Sequence, residues 1–162
     1  MKAQPHRLLR VKGETEVCAF NFLRHPLCSH LLRGILVVSK TLKRILVVDD
    51  DPDIRQVLLD RMSSFGYVVE TATDGRDALD AVQRGGFDGM LLDMLMPGIG
   101  GLEVLRQTRV SHPDLPVVVV TALSVQQQAA QAVAEGARAY LLKPFDAPQL
   151  KQVVEQCFGP AL

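Results

Sequence analysis

From residue 45 onward, short apolar runs alternate with longer segments whose apolar residues recur at helical spacing. The short runs are ILVV (45–48), YVVET (67–71), DGMLL (88–92), VVVVT (117–121) and RAYLL (138–142). They are rich in Val, Ile and Leu with little polar alternation, the pattern of strands covered on both faces. Between them, Ile54, Val57, Leu58, Met62 and Phe65 predict one helical stripe. Ala78, Leu79 and Val82 predict a second, and Val125, Ala129, Ala132 and Val133 a third; Leu150, Val153, Val154 and Cys157 predict a last one. Pro52 behind Asp51 marks a helix start, and Gly66, Gly85 and Gly136 mark helix ends. This alternation predicts a doubly wound α/β fold: a parallel sheet with right-handed crossovers and helices on both faces.

In such sheets ligands bind outside the C-terminal strand ends. The first strand ends in Asp49-Asp50, the third in Asp93, the fourth in Thr121 and the fifth in Lys143-Pro144. The second ends less distinctively, near Thr73-Asp74. Three carboxylates converging on one edge repel one another and stay ionised together only around a cation. Oxygen ligands of this kind suit Mg²⁺. A lysine and a hydroxyl on the same edge complement an anion rich in oxygens, such as a phosphoryl group. An aspartate facing a metal-bound phosphoryl donor is a nucleophile for acyl-phosphate formation. Taken singly, each residue has a plainer role. Asp51 suits a helix cap, Asp53 suits the helix dipole, and a lone threonine or lysine at a strand end is unremarkable.

Charge divides the chain. Its net charge is zero, yet residues 1–44 carry nine Lys/Arg against two Asp/Glu, while residues 45–162 carry nine against sixteen. A basic arm joined to an acidic body places a boundary near Lys43. Residues 1–42 read as a basic, unstructured N-terminal extension, 43–158 as the folded domain and 159–162 as a short tail. No apolar stretch is long enough to cross a membrane, and the N-terminus is a poor secretory signal. Cys18, Cys28 and Cys157 form no disulfide framework, which fits a cytoplasmic protein. Cys18, His25, Cys28 and His30 match no familiar zinc spacing. ILVV at 35–38 copies the first strand but lacks its acids and its following helix.

The stretches RILVVDDDPDIR (44–55), LLDMLMPGIGG (91–101), VVVVTA (117–122) and AYLLKPF (139–145) together resemble the receiver domain of two-component response regulators. The resemblance covers residues 43–158. It implies a flavodoxin-like sheet of order 2-1-3-4-5, with Asp93 as phospho-acceptor. It implies Asp50 as a direct Mg²⁺ ligand, Asp49 acting through water or as a second acid, and the Leu95 backbone carbonyl as a further ligand. Thr121 and Lys143 would hold the phosphoryl group, Lys143-Pro144 would be a cis peptide, and Tyr140 would move with Thr121 as a switch. Implied partners are a sensor histidine kinase or phosphotransfer protein and a downstream protein reading the face of helix four, strand five and helix five. No DNA-binding domain is visible in this chain. The protein is expected as a monomer or a phosphorylation-dependent dimer, with self-phosphorylation and slow self-dephosphorylation as its only chemistry. Gly100 stands where the family usually has an Asp, and Leu95 where some relatives carry a polar side chain.

Two other classes compete. Asp49-Asp50-Asp51 satisfies the Asp-x-Asp of haloacid-dehalogenase-like phosphatases, whose nucleophile would be Asp49. A phosphorylation-independent interaction module with the same fold is the other.

Overall fold

The computed structural model describes residues 42–122 and 131–161. Its elements alternate as expected: β1 (Arg44–Val48), α1 (Pro52–Ser64), β2 (Val68–Ala72), α2 (Gly75–Arg84), β3 (Gly89–Asp93), α3 (Gly101–Ser111) and β4 (Val117–Ala122). There follow a helical turn at 131–134 (α4), β5 (Ala139–Lys143) and α5 (Ala147–Phe158). The strands form one parallel sheet of order β2-β1-β3-β4-β5.

Strand alternation feeds two cores. Ile45 and Val47 of β1, Leu91 of β3, and Val118 and Val120 of β4 pack with Leu58 and Met62 of α1 and Leu150 and Val154 of α5. The intervening residues, among them Leu46, Val48, Leu92, Val117 and Val119, pack with Ala78 and Val82 of α2, Val104 and Leu105 of α3, and Ala132 of α4. The central strands β1, β3 and β4 are buried almost throughout, but β2 and β5 are only partly covered. The two outer runs are edge strands, and the pattern of full burial belongs to the three inner ones.

Helix starts follow the local chemistry. Asp51 accepts from the backbone N–H groups of Asp53 (2.9 Å) and Ile54 (3.3 Å), with Pro52 in the first turn. Asp74 caps α2 through Asp77 N–H, and Asp146 forms a reciprocal capping box with Gln149 on α5. α3 has Gly100 at its cap and no side-chain acceptor there. Gly101 is required for a different reason: a Cβ on it would lie 2.1 Å from the Asp93 carbonyl oxygen. The start of α3 therefore presses directly on the end of β3.

Two expectations need correction. Val57 and Val133 are exposed. Each sits one residue from a buried neighbour, Leu58 and Ala132, and one residue is about 100° around a helix, enough to leave the packed face. The described part of the short tail, 159–161, packs back on the domain: Ala161 is buried in the α1/α5 core, and the Tyr67 hydroxyl donates to Gly159 O at 2.7 Å. Residues 1–41, with the basic arm, Cys18, His25, Cys28 and His30, lie outside the described residues, as do Val125 and Ala129.

Candidate functional site

The acids and the lysine come together because their strands are neighbours in one register. Asp93 closes β3, Lys143 closes β5, and Asp49 directly follows β1, its N–H reaching Ala72 O at 3.4 Å. Alternation along each strand puts all three on the α1/α5 face, because each follows the inward residues of that core by an even step. Thr121 has the opposite parity. It continues Val117 and Val119 on the α2–α3–α4 face and stands in register with Leu142.

Lys143 Nζ donates to Asp49 Oδ2 at 2.7 Å and to Asp93 Oδ1 at 2.8 Å. Both carboxylates are nearly sealed from water, Asp49 at 1% and Asp93 at 5% exposure. Buried charges persist only when paired and hydrogen-bonded, and the remaining oxygens are so satisfied. Asp51 N–H donates to Asp49 Oδ1 at 3.0 Å, and Leu95 N–H donates to Asp93 Oδ2 at 2.8 Å. Burial pushes the Asp93 carboxyl above the usual aspartate range; the Lys143 hydrogen bond and charge pull the other way, and the Asp49 charge adds to the rise. Burial alone would depress the Lys143 ammonium, but its bonds to Asp49 and Asp93 outweigh that and hold it above the ordinary lysine value. Thr121 is fully buried, and its hydroxyl has no hydrogen-bond partner among the described residues.

The structure thus gathers Asp49, Asp93 and Lys143 into one ion cluster, with Thr121 on the adjoining strand. Asp50 lies beside it with an exposed side chain. Among the described residues no three His, Cys, Asp or Glu side chains form a metal-holding group. Without a cation, Lys143 bridges two of the three expected acids, Asp49 and Asp93, and Asp50 is exposed next to Asp49. Leu95 is 51% exposed and engages Asp93 through its N–H, while Tyr140 is 42% exposed. The Lys143-Pro144 peptide is cis. Arg55 was not anticipated: its Nη1 donates to the Asp49 carbonyl at 2.7 Å. Its only signal in the sequence is a cation one helical turn beyond the acidic run.

The response regulator receiver domain family matches the chain over residues 45–155. The chain belongs to that family. The receiver is 45% identical to the response regulator MprA of Mycolicibacterium vanbaalenii over 107 residues, 66% of this chain and 46% of that protein. It is 44% identical to MprA of Mycobacterium leprae over the same length, covering 47% of that protein. The chain spans about half the length of the curated relatives it matches. Among solved structures, the receiver domain of NtrX from Brucella abortus superposes with a TM-score of 0.67 at 35% identity, over 69% of this chain and 95% of that one. TrrA of Thermotoga maritima, crystallised with Mg²⁺ and BeF, gives 0.66 at 38% identity, over 71% and 98%. Among the described residues of the receiver no helix is long and apolar enough to cross a membrane.

Proposed function

We propose that this receiver is a phosphorylation-operated switch in which Asp93 takes a phosphoryl group from a sensor histidine kinase or phosphotransfer protein. The observation that carries this reading is the Lys143 ammonium, held between two buried carboxylates at the strand ends, with the unpartnered buried Thr121 hydroxyl near the end of the adjoining β4. An Asp93 carboxylate oxygen attacks phosphorus, the phosphorus–nitrogen bond of the donor histidine breaks, and its electron pair stays on the imidazole. The product acyl phosphate carries about −1.5 to −2 charge where the carboxylate carried one, and it presents three acceptor oxygens. Lys143 can pass its bond from Asp93 to a phosphoryl oxygen, and Thr121 can donate the hydrogen bond it does not otherwise make. Leu95 N–H stays available to Asp93.

The oxygen donors at this edge are Asp49, Asp93, the exposed Asp50 and the Leu95 backbone carbonyl. They are hard ligands and few in number, the set that suits Mg²⁺ completed by waters. When bound there, Mg²⁺ neutralises charge on the phosphoryl oxygens during transfer. Thr121 and Tyr140 lie on the same face of the sheet, since Tyr140 stands in register with Val119. Movement of Thr121 toward the phosphoryl group would be read there by a protein partner of the α4–β5–α5 face, as monomer or as phosphorylation-dependent dimer. The receiver performs no other chemistry in this reading than accepting and slowly losing its own phosphoryl group.

Incubation with acetyl phosphate and Mg²⁺, followed by intact-mass measurement, tests the assignment. Wild type should gain one phosphoryl group and Asp93→Asn none. Continued labelling of Asp93→Asn, with loss in Asp49→Asn, would transfer the nucleophile to Asp49 and favour the phosphatase reading.

A further inference from the structure

Within β1–α1, one hydrogen bond has no role in the scheme above. Arg55 lies in the second turn of α1, and its guanidinium Nη1 reaches back 2.7 Å to the carbonyl oxygen of Asp49. That carbonyl belongs to the peptide joining Asp49 to Asp50. Asp49 is already held at its N–H by Ala72 O, at Oδ1 by Asp51 N–H and at Oδ2 by Lys143. The Arg55 backbone is fixed as well, its N–H donating to Asp51 O at 3.0 Å. A carbonyl pinned this way fixes the plane of the Asp49–Asp50 peptide. The Asp50 Cα lies in that plane, so Arg55 fixes the point from which the Asp50 side chain departs, although Arg55 need not touch any ligand of the site.

We infer that Arg55 is a positioning residue that orients the Asp50 carboxylate toward the divalent cation. The inference rests on the proposed magnesium-dependent phosphorylation of Asp93. Two roles for a cation in this turn predict opposite signs. As a mere charge, Arg55 repels a divalent ion bound to the adjacent acids, and removing it tightens Mg²⁺ binding. As a positioning group, it keeps the peptide and the carboxylate in their cation-ready arrangement, and removing it weakens binding. Partners that orient metal ligands are commonly worth about 10–100-fold in affinity. Because one backbone bond is at stake here, the lower end, about tenfold, is expected.

The test compares wild type, Arg55→Gln and Arg55→Lys in the full chain, with Mg²⁺ affinity read by calorimetry and by the Mg²⁺-dependent rise in melting temperature. The rate of Asp93 labelling by acetyl phosphate is followed against Mg²⁺ concentration. Arg55→Gln should need about tenfold more Mg²⁺ for half-maximal effect in all three readouts, yet reach a near wild-type rate at saturating Mg²⁺. Arg55→Lys keeps the charge on a single-headed donor and should fall between the two. Tighter Mg²⁺ binding in Arg55→Gln, or an unchanged Mg²⁺ requirement in either variant, overturns the inference. So does a reduced rate at saturating Mg²⁺ with unaltered affinity, which marks a purely structural part. Should Arg55→Gln fail to fold, Arg55→Lys decides alone: wild-type affinity rejects positioning and weakened affinity supports it. Wild type that neither binds Mg²⁺ nor labels at Asp93 would defeat the underlying reading instead.

Discussion

Replacing Thr121 by valine should make the receiver more stable and less responsive. The hydroxyl is fully buried and finds no acceptor or donor among the described residues. Burying an unpaired hydroxyl costs about 1–3 kcal/mol. Valine has the same branched shape and an equal place in a β-strand, so Thr121→Val removes the cost without opening a cavity. A gain of about 1–2 kcal/mol is expected. In a domain of this size that raises the melting temperature by roughly 4–8 °C. Thr121→Ala removes a methyl group as well and should fall below the valine variant. Urea unfolding and thermal melts without Mg²⁺ give the stabilities. The same melts with Mg²⁺ and beryllofluoride, a phosphoryl mimic, give the response. Wild type should be stabilised by the mimic more than Thr121→Val, by about 1.5–3 kcal/mol, the worth of a hydrogen bond to a charged group. A valine variant no more stable than wild type would refute the reasoning. It would mean that the hydroxyl is bonded in solution and holds nothing in reserve.

Lys143→Met leaves two buried carboxylates without their shared cation and should cost about 3–5 kcal/mol near neutral pH, measured by urea unfolding. Burial already raises Asp93 in the folded state, so the native form binds more protons than the unfolded one over the interval between the two values. Stability of Lys143→Met should therefore recover as pH falls from neutral toward the unfolded aspartate value, and an acid-labile variant would contradict this. Gly101→Ala would drive a Cβ to within 2.1 Å of Asp93 O, costing at least about 3 kcal/mol in unfolding and slowing Asp93 labelling even where the variant remains folded. Tyr67→Phe loses the hydrogen bond to Gly159 O and should cost about 1 kcal/mol. Burial first, and then the Glu155 charge, raise the Tyr67 phenol. Its stabilisation is present below the unfolded tyrosine value and lost as pH rises through the folded one, so Tyr67→Phe should flatten the alkaline limb of stability against pH.

The strand ends were legible because a parallel sheet turns each one into a fixed address. Each apolar run was placed within about one residue of its strand, and Asp93 and Lys143 close their strands as read. Caps were legible where a side chain makes them, as at Asp51. Contacts made by backbone groups were not, because any residue type supplies them. The Leu95 N–H on Asp93 and the Asp51 N–H on Asp49 leave no mark on composition. The sequence grouped Asp49, Asp50 and Asp93 and set Lys143 on their rim. In the fold Lys143 bridges Asp49 and Asp93 directly, while Asp50 is exposed in the bend after β1. Ala161 was read as tail because one small residue carries no periodicity, yet it lies over Gly66, where a Cβ would come within 3.3 Å.

Parity along the strands decides how two residues at one edge can act as separate sensors of the same anion. Asp49, Asp93 and Lys143 stand on the α1/α5 face, while Thr121 and Tyr140 stand on the other, with the sheet between. No hydrogen bond links Thr121 to Lys143 among the described residues. Without an anion their contributions should add, because residues that share no partner seldom couple by more than about 0.5 kcal/mol. A phosphoryl group on Asp93 would give them a common partner and so create a coupling absent before. A double-mutant cycle of Thr121→Val and Lys143→Met, read by unfolding free energy with and without Mg²⁺ and beryllofluoride, measures this directly. Near-zero coupling without the mimic and about 1 kcal/mol or more with it is the expected pair of results. Equal coupling in both conditions would mean that the two faces already communicate through the sheet, and that the anion is not what joins them.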